Sequence, residues 1–322
     1  MNRPEIEPNF AGIMLRRAEL NPERAALIFE GETLLYGEFA DRVKRQATLL
    51  REAGVCVGDR VGYLGFNHPA LLETIFAAQA LGAVFVPLNF RLTAEELTFI
   101  INDAGVHSLF VDDELQPVIA PARDKLCCHQ FFSSESEAEG WRHLATERAA
   151  ASPIAGAVSV DVHDLAVIMY TSGTTGLPKG AMLTHGNLLW NNINATMAFG
   201  GGREDVILTA APLFHIGGLN VMTLHSFHVG STLVLLRNFD PALVLENFER
   251  HRVTHMFGAP AMFLFMSQQP QFADTDLSSI KTIICGAAPV PESLIELWGA
   301  RGVSFCQGYG LTETAPFSAF LT

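Results

Sequence analysis

The residues best equipped for chemistry lie at 171–180, TSGTTGLPKG. Gly173, Gly176 and Gly180 stand among four hydroxyls, Thr171, Ser172, Thr174 and Thr175, and Lys179 closes the stretch. Glycines let a backbone turn tightly and let its N–H groups approach a ligand, and hydroxyls add donors. A lysine adds a positive charge that can follow departing anions. Together these types suit a polyphosphate. The spacing is not that of the common phosphate loop, which needs four residues between its glycines and a Ser or Thr directly after its lysine. Nor is it G-x-G-x-x-G. Read from residue types alone, the alternative is an ordinary strand-to-helix turn rich in small residues.

Three further constellations follow it. PLFHIGGL at 212–219 sets His215 before Gly217 and Gly218, where a histidine could position a carboxylate or gate an apolar pocket. The plain alternative is a histidine at a helix start. GAAP at 286–289 (Gly286, Ala287, Ala288, Pro289) offers small residues at a strand end, where a flat ring or alkyl chain could approach the backbone. A plain turn would read the same way. YGLTET at 309–314 holds Tyr309, Gly310, Thr312 and Glu313, with Gln307 and Gly308 just before. Its carboxylate suits a magnesium ion, which takes oxygen ligands and keeps water and phosphate around it.

Elements must position these groups. RVGYL at 60–64, 83–87, 108–111 and LAVIMY at 165–170 read as strands, and 69–81 and 93–103 as helices. Thr93 and Glu96 form a capping box for the second helix. Helices are expected at 185–198 and 216–228, and strands at 206–208, 231–235, 255–257, 281–285 and 304–306. Asp240 and Pro241 suit an N-cap and first turn for a helix through His251. Strands alternating with helices imply α/β architecture, with mostly parallel sheets covered by helices. The polar, then Ala-rich stretch 133–160 reads as a surface helix and a connection between two halves. The expected division is therefore 1–160 and 161–322, with the phosphate loop and YGLTET in the second half.

Composition narrows the function. The chain has 322 residues and a formal net charge of -13, which argues against nucleic acid or an anionic membrane as the main partner. The five cysteines are odd in number and spaced neither for zinc nor for a disulfide framework, which suits a reducing cytoplasm. No signal-peptide core opens the sequence, and no run of about 18 apolar residues spans a bilayer. A homo-oligomer is left open.

The run 170–187, YTSGTTGLPKGAMLTHGN, resembles the signature of the adenylate-forming superfamily of acyl-CoA synthetases, aryl-acid CoA ligases, luciferases and peptide-synthetase adenylation domains. LGAVFVPLN at 81–89, PLFHIGGL, GAAP and YGLTET follow the family's order, so the resemblance runs from about residue 81 to 314. It implies two related α/β subdomains in an αβαβα layering, followed in the family by a β-barrel part and a small C-terminal domain. It also implies that Thr171, Ser172, Gly173, Thr174, Thr175, Gly176 and Lys179 hold the phosphates of ATP. Gly286, Ala287, Ala288, Pro289, Gln307, Gly308, Tyr309 and Gly310 would line adenine and the acyl group, with Tyr309 stacked on adenine. Thr312 would contact the α-phosphate, Glu313 would hold Mg2+, and His215 would lie between acyl pocket and nucleotide.

The reaction implied is attack of a small-molecule carboxylate on the α-phosphorus of ATP, giving acyl-AMP and pyrophosphate, then thioester formation with coenzyme A. The family's ribose-gripping aspartate, hinge and lysine-bearing C-terminal domain would follow Thr322, so the chain by itself is expected to be nearly inactive. Phe214–Gly217 offers no acidic residue for a substrate amine, which disfavours an amino acid. FGAPAM at 257–262 with Gly286 and Gly308 suggests an open apolar slot and a fatty acid, with an aryl or cinnamate-like acid next. A luciferase-like oxidative enzyme and a non-catalytic nucleotide-binding module are the rival classes.

Overall fold

The computed structural model describes residues 9–172 and 176–321. Along the chain its elements run α1 (Phe10–Leu20), β1 (Ala25–Phe29), β2 (Glu32–Leu35), α2 (Tyr36–Glu52), β3 (Arg60–Leu64), α3 (Pro69–Ala80), β4 (Val84–Leu88), α4 (Ala94–Ala104) and β5 (Val106–Val111). There follow α5 (Gln116–Ile119), β6 (Gln130–Ser133), β7 (Arg142–His143), α6 (Leu144–Ala150), β8 (Leu165–Thr171), β9 (Lys179–Thr184) and α7 (His185–Phe199). The remainder holds β10 (Val206–Thr209), α8 (Leu224–Val229), β11 (Thr232–Leu235), α9 (Pro241–Arg250), β12 (His255–Gly258), α10 (Pro260–Ser267), β13 (Thr282–Cys285), α11 (Glu292–Gly299), β14 (Phe305–Gly310) and β15 (Phe317–Leu321). No helix among the described residues is long and apolar enough to cross a membrane.

The chain forms two compact units, one of residues 1–22 and 37–189, the other of 23–36 and 190–322. The first holds a sheet in the order β7-β6-β5-β3-β4-β8-β9, parallel except for β9, which runs antiparallel to β8. Every residue of α3 from Ala70 to Ala80 is buried, as befits a helix apolar on nearly all sides. Its one carboxylate, Glu73, is taken up by Arg42 at 3.3 Å and by Arg148, so the charge is buried with partners. Helix α4 starts where Thr93 and Glu96 cap each other reciprocally and ends on Gly105 in the left-handed region. Its apolar face (Leu97, Ile100, Ile101) packs on Val86, Leu88 and Leu109 of the sheet.

The second unit holds a sheet in the order β15-β14-β13-β12-β10-β11-β1-β2. Its interior strands are parallel, and β2 and β15 are antiparallel edges. Asp240 accepts from the N–H of Leu243 and Pro241 fills the first turn, so α9 starts as its sequence predicts. Its face of Val244, Leu245 and Phe248 joins a core with Met256, Ile283 and Trp298. Trp298 is fully buried, with the Phe263, Phe272 and Phe305 rings 4.9 to 5.7 Å away at steep angles.

The expected fold class is what the structure has: mixed α/β, two mostly parallel sheets flanked by helices. The division differs from the expected one. It falls within α7, between Leu189 and Trp190, because β8 adds to the first sheet beside β4 (Phe85 opposite Val167) and β9 folds back on it. The expected phosphate loop therefore belongs to the first unit, and β1 and β2 belong to the second. The stretch 133–160 is also more than a connection. It carries the end of β6, β7 at the sheet edge and α6, and Thr48 donates to the Ser152 carbonyl at 2.6 Å.

Candidate active site

In the first unit, the loop sits at the carboxyl end of β8, where parallel α/β sheets place ligands. A helix does not follow it directly. The chain returns as β9, antiparallel to β8, with Lys179 opposite Thr171 and Gly180 opposite Tyr170. KGAMLT forms an edge strand, closed by Thr184 and Asn187: each side chain accepts from the other's backbone N–H, at 2.9 and 3.1 Å, and α7 starts there. Ser172, Gly176 and Lys179 are exposed and Thr171 is half-buried. Gly173, Thr174 and Thr175 lie outside the described residues. No hydrogen bond or ion pair engages the Lys179 amine among the described residues, so that charge is available to a ligand. The hairpin base is fixed by the Tyr170 hydroxyl, which donates to Asp103 Oδ2 at 2.6 Å. Partial burial and this carboxylate push the Tyr170 pKa up, so the hydroxyl keeps its proton.

In the second unit, the other motifs gather at one edge. Strands β10, β12, β13 and β14 are parallel neighbours, and each delivers its segment at its carboxyl end. His215 follows β10, Phe257 and Gly258 end β12, Gly286–Pro289 follows β13, and Gln307–Gly310 ends β14. The strand order reverses at β10, with β11 on one side and β12 on the other. Such a switch point opens a crevice for a ligand. His215 is exposed there, its ring 4.7 Å from that of Phe214.

The expected open slot is narrower than the glycines suggest. A Cβ added at Gly217 would stand 2.7 Å from the Phe257 ring, and one at Gly286 would stand 2.8 Å from the Gly308 carbonyl and 3.5 Å from the same ring. These glycines make room for Phe257 and for neighbouring backbone. Space visible in sequence as missing side chains is thus partly filled by a phenylalanine from the adjacent strand. Tyr309, near the end of β14, is 62% exposed.

After β14 a short turn, Thr312–Thr314, carries the candidate phosphate and metal ligands. Thr314 is occupied within the turn: its Oγ1 accepts from the N–H of Leu311 at 2.9 Å and bonds to the Pro316 carbonyl. Thr312 is half-buried, Glu313 is exposed, and no side-chain hydrogen bond or ion pair engages either among the described residues. No cluster of three or more His, Cys, Asp or Glu suited to a metal occurs among the described residues. One free, exposed carboxylate nonetheless fits Mg2+, which binds through one or two carboxylates and completes its shell with phosphate oxygens and water.

Sequence reasoning missed what holds this turn. Ala315 ends it in the left-handed region, at φ 69°, and its carbonyl accepts from Asn220 Nδ2 at 2.6 Å. Asn191 accepts from the N–H of Phe317 at 3.1 Å. These asparagines belong to no motif. The available signal was polar residues within runs that otherwise read as buried helix, NLLWNNIN and LNVMTL.

Comparison with known proteins adds an independent finding. The sequence pattern of the family described as AMP-binding enzyme matches residues 14–322. A feruloyl-CoA synthase from Amycolatopsis sp is 43% identical over 303 residues, covering 94% of this chain and 59% of that protein. An indoleacetate–CoA ligase from Aromatoleum aromaticum is 37% identical over 307 residues, covering 95% of this chain and 60% of that one. Among solved structures, a Mycobacterium tuberculosis fatty acyl CoA synthetase matches with a TM-score of 0.90 at 29% identity, over 98% of this chain and 62% of that one. The chain spans about three-fifths of the length of these curated relatives.

Proposed function

The chain belongs to the AMP-binding enzyme family, and from that premise we propose that it activates a carboxylic acid with ATP and passes the acyl group to coenzyme A. The observation that carries this reading is the gathering of His215, Phe257, Gly286–Pro289, Tyr309 and the Thr312–Thr314 turn at the carboxyl ends of four adjacent parallel strands.

A carboxylate oxygen attacks the α-phosphorus of ATP. The new P–O bond forms as the bond to the β-phosphate oxygen breaks, giving acyl-AMP and pyrophosphate. No protein nucleophile is needed, so catalysis consists of alignment and preorganised charge. Lys179 and the hairpin loop neutralise the departing phosphates. Thr312 orients the α-phosphate, Tyr309 offers its ring to adenine, and His215 positions the attacking carboxylate. Mg2+, held by Glu313, supplies further charge neutralisation on the phosphates when bound. In the second step the coenzyme A sulfur attacks the acyl carbon, AMP leaves, and the thiol proton passes to solvent. A cytoplasmic setting goes with this reading, since all five cysteines are free thiols.

For the acid, an aryl-bearing substrate is the better supported choice. The two curated relatives reported above are named for aromatic acids, and the Phe257 ring between Gly217 and Gly286 offers a flat apolar wall. A fatty acid is the second reading, favoured by the likeness to the M. tuberculosis fatty acyl CoA synthetase. Incubating the intact natural protein with ATP, coenzyme A and matched sets of cinnamate-type, arylacetic and straight-chain acids separates them. Thioester from the aromatic acids is the expected product. Thioester from the alkanoic acids alone would overturn that choice.

A further inference from the structure

Three asparagines lie beneath the turn that carries Thr312 and Glu313, and their amides are chained in one direction. Asn192 and Asn220 are fully buried and Asn191 nearly so. Asn192 Nδ2 donates to Asn220 Oδ1 at 2.8 Å, which leaves Nδ2 as the outward end of the Asn220 amide. That end donates to the Ala315 carbonyl at 2.6 Å. Asn191 Nδ2 donates to the Asn220 backbone carbonyl at 2.7 Å, while its Oδ1 accepts from the N–H of Phe317. Two helical segments thus grip the chain on both sides of Pro316.

The gripped point controls the turn. The Ala315 N–H donates to the Thr312 carbonyl and the Thr314 N–H to that of Leu311, so the turn closes onto Ala315. Ala315 is an L-residue in the left-handed region, a conformation disfavoured without support. Thr314 bonds only within the segment 311–316, and Thr312 and Glu313 have no side-chain anchor among the described residues. Asn220 is therefore the tie between the turn and the helical segment Gly218–Thr223, which has π-helical hydrogen bonding and starts just after His215 and Gly217.

We propose that Asn220, oriented by Asn192, is a positioning residue that sets where Thr312 and Glu313 stand for the ATP-dependent step. The inference rests on the site reading given above. It has the form of a polar support whose loss leaves the ligands present but misplaced, which typically costs about 10- to 100-fold in metal affinity or activity.

The test uses the intact natural protein and acid-dependent ATP–pyrophosphate exchange, titrated with MgCl2, alongside thermal unfolding. Asn220→Ala is expected to raise the magnesium midpoint and lower kcat, each by about 10-fold or more, with a smaller change in KM for the acid. Asn192→Ala, which removes the donor orienting Asn220, moves both in the same direction. Asn247→Ala serves as the control. Asn247 is similarly buried, but its amide caps Leu243 within α9, so its loss lowers Tm and leaves the magnesium midpoint in place. An Asn220→Ala protein that folds and keeps the wild-type midpoint and kcat overturns the proposal, as does an equal midpoint shift in Asn247→Ala. Should Asn220→Ala not fold, Asn192→Ala decides: an unchanged midpoint overturns the proposal and a raised one supports it. A wild-type protein that exchanges with no acid at all overturns the site reading itself, and the proposal with it.

Discussion

The ring of Phe257 lies against Gly217, so close that a Cβ at the glycine would stand 2.7 Å from the ring edge. Phe257 lies near the end of β12 and Gly217 follows its parallel neighbour β10, at the point where strand order reverses. Phe257 thereby limits the space that the PLFHIGGL and GAAP glycines leave. Phe257→Ala is expected to extend the acid range toward bulkier acids, read as a rise in their kcat/KM relative to the wild-type preference. The ring is half-buried, so a stability loss of about 1–3 kcal/mol accompanies it. An acid profile unchanged in a folded Phe257→Ala protein would place the acyl group elsewhere.

Glu313 and Lys179 are exposed and without side-chain partners among the described residues. Glu313→Gln and Lys179→Met should therefore leave stability within about 0.5 kcal/mol of wild type. Each should lower acid-dependent pyrophosphate exchange by about 100-fold, the scale of losing one group that stabilises transition-state charge. For Glu313→Gln, added magnesium should restore part of the rate. Unfolding by either substitution, with exchange per folded molecule intact, would assign these residues to structure.

Gly310 is set by the backbone around it. A Cβ there would stand 1.8 Å from the Pro316 carbonyl, where the chain doubles back from β14 into β15. Gly310→Ala must push these strands apart and disturb the Thr312–Thr314 turn. A destabilisation of about 1–3 kcal/mol is expected in urea melts, the usual scale of overpacking. A neutral Gly310→Ala would show that the turn can shift freely, against the account of a fixed ligand frame.

Two buried histidines make stability depend on pH. Burial pushes His185 down to about 4, against the pull of Asp164. It pushes His225 to about 4 as well, with His228 and His255 adding to the effect and Asp205 opposing it. His225 shares a 3.0 Å hydrogen bond with Thr196, and neither ring nitrogen of His185 has a hydrogen-bond partner among the described residues. In the unfolded chain both titrate near 6.5. As pH falls below that value the unfolded chain takes up protons first, so stability is lost between about pH 6.5 and 4. Each contributes up to about 3 kcal/mol across that window. Urea midpoints at pH 7.5 and 5.0 check this: the midpoint should fall at pH 5.0, and less so in His225→Gln. A flat profile would contradict it.

Local signals in the sequence carried much of the fold. Thr93 with Glu96 and Asp240 with Pro241 each mark a helix start through a bond spanning three residues, and both stand where read. What the sequence hid is long-range. Strand β1 pairs with β11, Leu27 opposite Leu233, although β1 lies before the whole of the first sheet. Nothing local to AALIF says so. Lys179 was legible as a candidate phosphate ligand, but its place opposite Thr171 depends on β9 pairing back onto β8. Phe257 and Asn220 act through neighbours on other strands and helices, and so have no spacing to read.

The central claim is that this protein forms an acyl-adenylate. Acid-dependent ATP–pyrophosphate exchange by the intact natural protein, with MgCl2 and without coenzyme A, tests it most directly. Label should enter ATP from pyrophosphate only when an accepted carboxylic acid is present, and cinnamate-type acids should support it best. Absence of exchange with every aryl and alkyl acid, while ATP still binds, would contradict the account and favour a nucleotide-binding module.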